Sequence, residues 1–167
     1  MDLTRKDHDA VIRKASEIAI SKGTNLPKIL DMAERLAIRF PETGFILFSY
    51  MNILYHYGLT KLCGKLKKIG LDGILAVDLP LEEKAELAQP CKENGLHLVA
   101  LVSPATSLER ARKIMADASG FVYSVNVCGV TGVRDLHPEE ISQHLAVLKE
   151  NSAVPIAAGF GINDGQA

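Results

Sequence analysis

Short, unbroken apolar runs recur along the chain and alternate with longer amphipathic stretches. Unbroken apolar runs, as opposed to alternating ones, are typical of parallel strands that are covered on both faces of a sheet. The pattern predicts five strands, at residues 45–50, 73–77, 96–102, 121–125 and 154–158.

Helical periodicity precedes and separates these runs. Leu62, Leu66 and Ile69 form one apolar stripe, Ser107 is a predicted N-cap, and Pro138 opens a helix in its first turn. The predicted helices are 10–22, 26–40, 59–69, 82–94, 108–116 and 138–150. With right-handed crossovers, this order predicts an α/β fold in which helices cover a parallel sheet.

Composition narrows the function classes. The 167 residues are 47% hydrophobic, enough for one domain with a core, and 19 basic residues balance 20 acidic ones. That balance argues against nucleic acid or a membrane as the partner, and nine Phe and Tyr residues without Trp argue against base stacking. Three cysteines far apart in sequence and a charged N-terminal stretch favour a cytoplasmic protein without a metal site.

Two glycine-rich segments follow the last two predicted strands. They are G-V-T-G at 129–132 and G-F-G at 159–161. Glycine lets backbone N–H groups approach an anion closely, although such glycines also serve simply in tight turns. Their occurrence after neighbouring strands favours a phosphate site.

Other strand-end residues leave their roles open. Asp78 suits an acid/base, a loop-holding residue or a cap for the helix 82–94, and the cap or loop-holding role is favoured. Tyr50 and Tyr123 suit either a pocket or a hydrogen-bonded core position. Asp7-His8-Asp9 is expected to precede the first helix, as capping charge or in a catalytic loop.

Taken together, these motifs resemble the alpha subunit of tryptophan synthase. That family is a (β/α)8 barrel, so the resemblance implies one incomplete domain, 1–167, lacking the first two strands and the last strand. The matching segments are V-I-R-K-A at 11–15, S-Y-M-N at 49–52, V-D-L-P-L-E-E at 77–83, G-V-T-G at 129–132 and G-F-G-I at 159–162.

The resemblance also implies a reaction. The family is a lyase that cleaves indole-3-glycerol phosphate to indole and glyceraldehyde 3-phosphate, without a metal or bound cofactor. Indole then passes, within a heterotetramer, to a beta subunit that carries pyridoxal phosphate. The chemistry requires a carboxylate near the indole N–H, an acid/base carboxylate at the glycerol side and a phosphate cradle.

Site roles are carried over by matching positions. Gly132 and Gly161 match phosphate-binding residues, Thr131 matches the threonine of a mobile loop, and Val127 replaces a usual arginine. The positions that match the substrate pocket are Phe48, Tyr50, Leu101, Tyr123 and Phe160.

The carboxylates match less well. The family's acid/base glutamate falls upstream of Met1, and the indole-binding aspartate aligns with His8. The catalytic candidates are therefore Asp7 or Asp9, and Tyr123. We therefore expect residues 1–167 to be inactive alone. The alternatives are a non-catalytic module that binds a beta-type subunit or a complementary fragment, and a flavodoxin-like domain with a topological switch in its strand order.

Overall fold

The computed structural model describes residues 4–125 and 138–159, with side chains described within 13–125 and 142–159. None of the helices in these ranges combines the length and apolar character that a membrane crossing requires. The helices are α1 (Thr4–Ser21), α2 (Leu26–Arg39), α3 (Met51–Tyr57), α4 (Leu59–Lys68), α5 (Ala85–Glu93), α6 (Leu108–Met115) and α7 (Pro138–Glu150), with a 3₁₀ turn at Leu81–Glu83.

All strand pairs in the described chain are parallel. One sheet has the order β1 (Ile46–Ser49), β2 (Gly73–Ala76), β3 (His97–Leu98), and the other has the order β4 (Ala100–Val102), β5 (Val122–Val125), β6 (Ile156–Gly159). The predicted strands are confirmed, with their ends shifted by one or two residues. Strands follow their sequence order, as in a β/α barrel, which contradicts the flavodoxin-like alternative.

The third predicted strand divides at Val99 into β3 and β4. Its first half pairs with β2, and the N–H of Val99 still donates to the carbonyl of Ile74 at 2.9 Å. Its second half pairs with β5. Staggered strands of a barrel overlap each neighbour over only part of their length, so one extended segment bonds to opposite sides in turn.

Apolar residues on the outer faces of both sheets pack against the helices. The predicted stripe of α4 is confirmed, because Leu62, Leu66 and Ile69 are all buried in the larger cluster. The strand and helix residues joined there include Leu47, Ile74, Leu87 and Leu98, whereas Val102, Ala111, Met115, Val122 and Leu148 form a second cluster. This helical layer orients the other face of each strand away from the helices.

Two helix starts follow local sequence signals. Asn25 caps α2 by accepting from the N–H of Lys28 at 3.1 Å. Ser107 caps α6 by accepting from the N–H of Arg110 at 3.4 Å, which confirms the predicted N-cap.

The first helix begins earlier than expected. It starts at Thr4, so Asp7-His8-Asp9 lies inside α1, and the prediction that this cluster precedes the first helix is wrong. A threonine followed three positions later by an aspartate is a helix-start signal, and acidic residues favour the positive end of the helix dipole. Helix formation therefore extends upstream of residue 10.

Helix α3 was not predicted, and it explains Asp78. The N–H of Met51, the first residue of α3, donates to Oδ1 of Asp78 at 2.8 Å, whereas the residue at the N-cap position, Tyr50, makes no side-chain cap bond. The predicted cap on the helix 82–94 is wrong, because the segment after Pro80 begins as a 3₁₀ turn without a side-chain cap. Asp78 instead has the loop-holding role. From the end of β2, its side chain binds the start of α3, the helix that follows β1.

We expect Asp78→Ala to lower the free energy of unfolding by about 1 kcal/mol, because an N–H at the start of α3 loses its acceptor. Asp78→Asn keeps an acceptor oxygen at the same position and should lose much less. Urea unfolding followed by circular dichroism measures both. Equal losses in the two variants would show that charge, and not the cap, makes the difference.

Candidate active site

The carboxyl ends of the strands bring aromatic residues from both sheets together. Phe48 on β1 and Tyr123 on β5 meet edge to face, with ring centroids 6.2 Å apart and an interplanar angle of 75°. Leu101 on β4 is the register partner of Tyr123, so the two residues lie side by side on one face. The structure thus assembles three of the residues predicted to line a pocket.

This apolar face is open in the described chain. Phe48 is 59% exposed, although its register partner Leu75 is 2% exposed. Tyr50, directly after β1, is also 59% exposed. The rings therefore present an accessible surface, whereas buried aromatic residues would only fill the core.

Tyr123 has a definite place on this face, because its phenol ring lies against Gly159 at the end of β6. A Cβ atom on Gly159 would overlap the phenol oxygen and ring carbons of Tyr123. Glycine at 159 thus serves close packing, in addition to the backbone access suggested by the G-F-G motif. Sequence patterns did not indicate this contact, because the two residues come from different βα units.

The two strands that precede the glycine-rich segments end at the same level of the sheet. Val125, the last residue of β5, is the register partner of Gly159, the last residue of β6. The two strands that the glycine-rich segments follow in sequence therefore end side by side. This placement agrees with a shared role for the two segments.

Several predicted site residues lie outside the residues that the structure describes. Nothing is described for residues 126–137 and 160–167, and for Asp7 and Asp9 only the helical backbone is described. The predicted residues outside the described ones are Val127, Thr131, Gly132, Phe160 and Gly161. Among the residues that are described, no group of His, Cys, Asp and Glu side chains has the arrangement of a metal site.

Charged groups connect the segments that follow β2 and β4. Arg110 of α6 donates to both carboxylate oxygens of Glu82 at 2.8 and 3.0 Å. This pairing lowers the pKa of Glu82 and raises that of Arg110. Because 28 positions separate the partners, sequence spacing did not indicate the pair.

A second contact fixes an aromatic residue of α3. The Tyr55 hydroxyl donates to Oε2 of Glu86 at 2.5 Å, and this hydrogen bond raises the pKa of Tyr55. Tyr55 itself is 44% exposed. The bond therefore fixes an accessible ring of α3 against α5.

We expect Gly159→Ala to cost about 1–3 kcal/mol of stability, because the added methyl displaces the Tyr123 ring. In the Tyr123→Ala background the same change should cost less, with a coupling of at least about 0.5 kcal/mol. Urea unfolding of the two single variants and the double variant measures this coupling. Additive losses would contradict the contact between the two residues.

Known proteins of one family match this chain along almost its whole length. The family model described as tryptophan synthase alpha chain matches residues 8–167. The tryptophan synthase alpha chain of Geobacter sulfurreducens is 40% identical over 152 residues, which are 91% of this chain and 57% of that protein. The alpha chain of Methanocaldococcus jannaschii is 38% identical over 152 residues, 91% of this chain and 54% of that protein.

Solved structures of the same family also superpose on nearly the whole of this chain. A chain from the tryptophan synthase a2b2 complex of Pyrococcus furiosus superposes with a TM-score of 0.82 at 30% identity, covering 93% of this chain and 62% of that chain. The subunit alpha of Campylobacter jejuni gives 0.80 at 27% identity, covering 93% and 61%. This chain therefore spans little more than half the length of its relatives, and its fold is part of their barrel. Because the family match extends over residues 8–167, the chain belongs to the tryptophan synthase alpha chain family.

Proposed function

We propose that this chain forms the middle of a lyase barrel that binds indole-3-glycerol phosphate and, in the complete enzyme, yields indole and glyceraldehyde 3-phosphate. The observation that carries the proposal is the aromatic face of Phe48, Leu101 and Tyr123 at the strand ends. An apolar surface that contains an edge-to-face aromatic pair suits an indole ring.

In this proposal the phosphate end of the substrate lies near the ends of β5 and β6. The segments that carry Gly132 and Gly161 continue from the paired residues Val125 and Gly159. Backbone N–H groups of such segments are suited to hold a phosphate, and in barrels this site commonly follows the late strands. In the proposal, Thr131 and Phe160 lie on these segments and close around the substrate.

The carboxylates decide whether the reaction proceeds. Asp7 or Asp9 is our candidate for the indole N–H, and no position of this sequence matches the family's acid/base glutamate. We therefore propose that residues 1–167 bind the substrate without cleaving it. General acid–base chemistry of this kind requires no bound cofactor, and pyridoxal phosphate belongs to the beta subunit.

A titration of the chain with indole-3-glycerol phosphate, followed by calorimetry and by an assay for released indole, tests the proposal. We expect binding without indole release, and Phe48→Ala should weaken binding about tenfold, which corresponds to about 1.4 kcal/mol. Phe40→Ala is the matched control, because Phe40 is an exposed aromatic at the end of α2, away from the strand ends.

Two results would contradict parts of this proposal. Equal binding by the wild type and Phe48→Ala would remove the aromatic face as the indole site. Release of indole would show that another acid replaces the glutamate.

We further propose that the chain binds a tryptophan synthase beta chain through the exposed side of α3. The solved relative from Pyrococcus furiosus comes from an a2b2 complex. Tyr50 and Ile53, three positions apart at the start of α3, are 59% and 43% exposed. Clustered exposed apolar residues of this kind mark protein interfaces.

We also propose that the protein is cytoplasmic, because the complex with a beta chain proposed here is a biosynthetic one.

We expect Ile53→Asp to weaken binding of a purified beta chain at least about tenfold, because a charge would be buried in the interface. Ile38→Asp, at a 76% exposed isoleucine of α2, is the matched control and should bind like the wild type. Biolayer interferometry measures both affinities. If both variants lose affinity equally, the interface does not centre on α3.

A further inference from the structure

Two cysteines that are far apart in sequence meet in the helical layer. Cys63 of α4 and Cys91 of α5 are 28 positions apart, and their Sγ atoms are 3.9 Å apart. Both thiols are free, with residue exposures of 0% and 1%. The sequence spacing did not indicate this contact, and only the packing of α4 on α5 brings the two sulfurs together.

The two thiols are chemically unequal. The hydrogen bond between the two sulfurs lowers the pKa of the Cys63 thiol, whereas the same contact and burial raise the pKa of the Cys91 thiol. A thiolate is the reactive form of cysteine. These directions favour Cys63 as the attacking thiol, with Cys91, in contact with it at 3.9 Å, as the thiol that resolves the intermediate.

We infer that Cys63 and Cys91 form a modification site, at which a peroxide oxidises the two thiols to a disulfide that links α4 to α5. The Cys63 thiolate attacks a peroxide oxygen, the O–O bond breaks, and a sulfenic acid and hydroxide form. Cys91 then attacks the sulfenic sulfur, the S–S bond forms, and the S–O bond breaks with loss of water. Two electrons pass from the sulfurs to the peroxide. The hydroxide takes up the proton that the Cys63 thiol lost, so that the peroxide ends as two water molecules.

Forming the disulfide requires only a small movement of the two sulfurs. A disulfide bond is about 2.05 Å long, so the sulfurs must approach by roughly 1.9 Å from their present 3.9 Å. Pro90, directly before Cys91, lies inside α5 and has no N–H to bond to the preceding turn. This missing bond makes the turn that carries Cys91 easier to adjust. Burial limits the rate, since the oxidant must enter through local opening of the helices.

The test uses the full chain with Cys128→Ser, so that only this pair remains. The protein is treated with hydrogen peroxide under native conditions, then unfolded in urea and alkylated with iodoacetamide so that buried free thiols also react. It is digested with trypsin and analysed by mass spectrometry without reduction. We expect peptides 62–65 and 85–92 to be joined, with a loss of two hydrogen atoms that dithiothreitol reverses. The Cys63→Ala/Cys128→Ser chain is the matched control, in which Cys91 should stay unlinked.

A second measurement tests whether the native fold accommodates the bond. Closing a loop of this length should raise the melting temperature of the oxidised chain on the order of 5–10 °C. Full alkylation of both cysteines after peroxide treatment would overturn the inference. Linkage between two chains, or a lower melting temperature after linkage, would do so as well.

Discussion

The extended segment 97–102 joins the two halves of the structure. Its first residues hydrogen-bond to β2 and its last residues to β5, with the change at Val99. All strand pairs on both sides of this point are parallel, so their carboxyl ends share one edge. The placement of Phe48 near Tyr123 depends on this continuity, because the two rings belong to different sheets.

The two faces of the strands have different partners. On the outer face, Leu47 and Ile74 pack in the cluster formed with α4 and α5. On the other face, Phe48 and Leu75 alternate with them and lie on the side where the barrel interior would be. The helices thus supply the packing that fixes the strands, and the opposite face is left to present apolar and aromatic side chains.

Long-range contacts fix the segments that follow the strands. Asp78 holds the start of α3, Glu82 pairs with Arg110, and Glu86 accepts from Tyr55. Each contact links one βα unit to another, and none of them is a local cap. The edge of the sheet is therefore tied together by polar groups of modest individual strength.

The sequence by itself determined the α/β class, the positions of the strands and the apolar stripe of α4, because these depend on local periodicity. The resemblance carried by its motifs also predicted Phe48, Leu101 and Tyr123, all on predicted strands, as residues that line a pocket. The periodicity missed α3, whose seven residues are too few for a clear helical pattern. Only the tertiary structure decided the partner of Asp78, the contact of Tyr123 with Gly159 and the meeting of Cys63 with Cys91. These contacts join residues of different βα units, and their distances follow from strand register and helix packing, which no local pattern encodes.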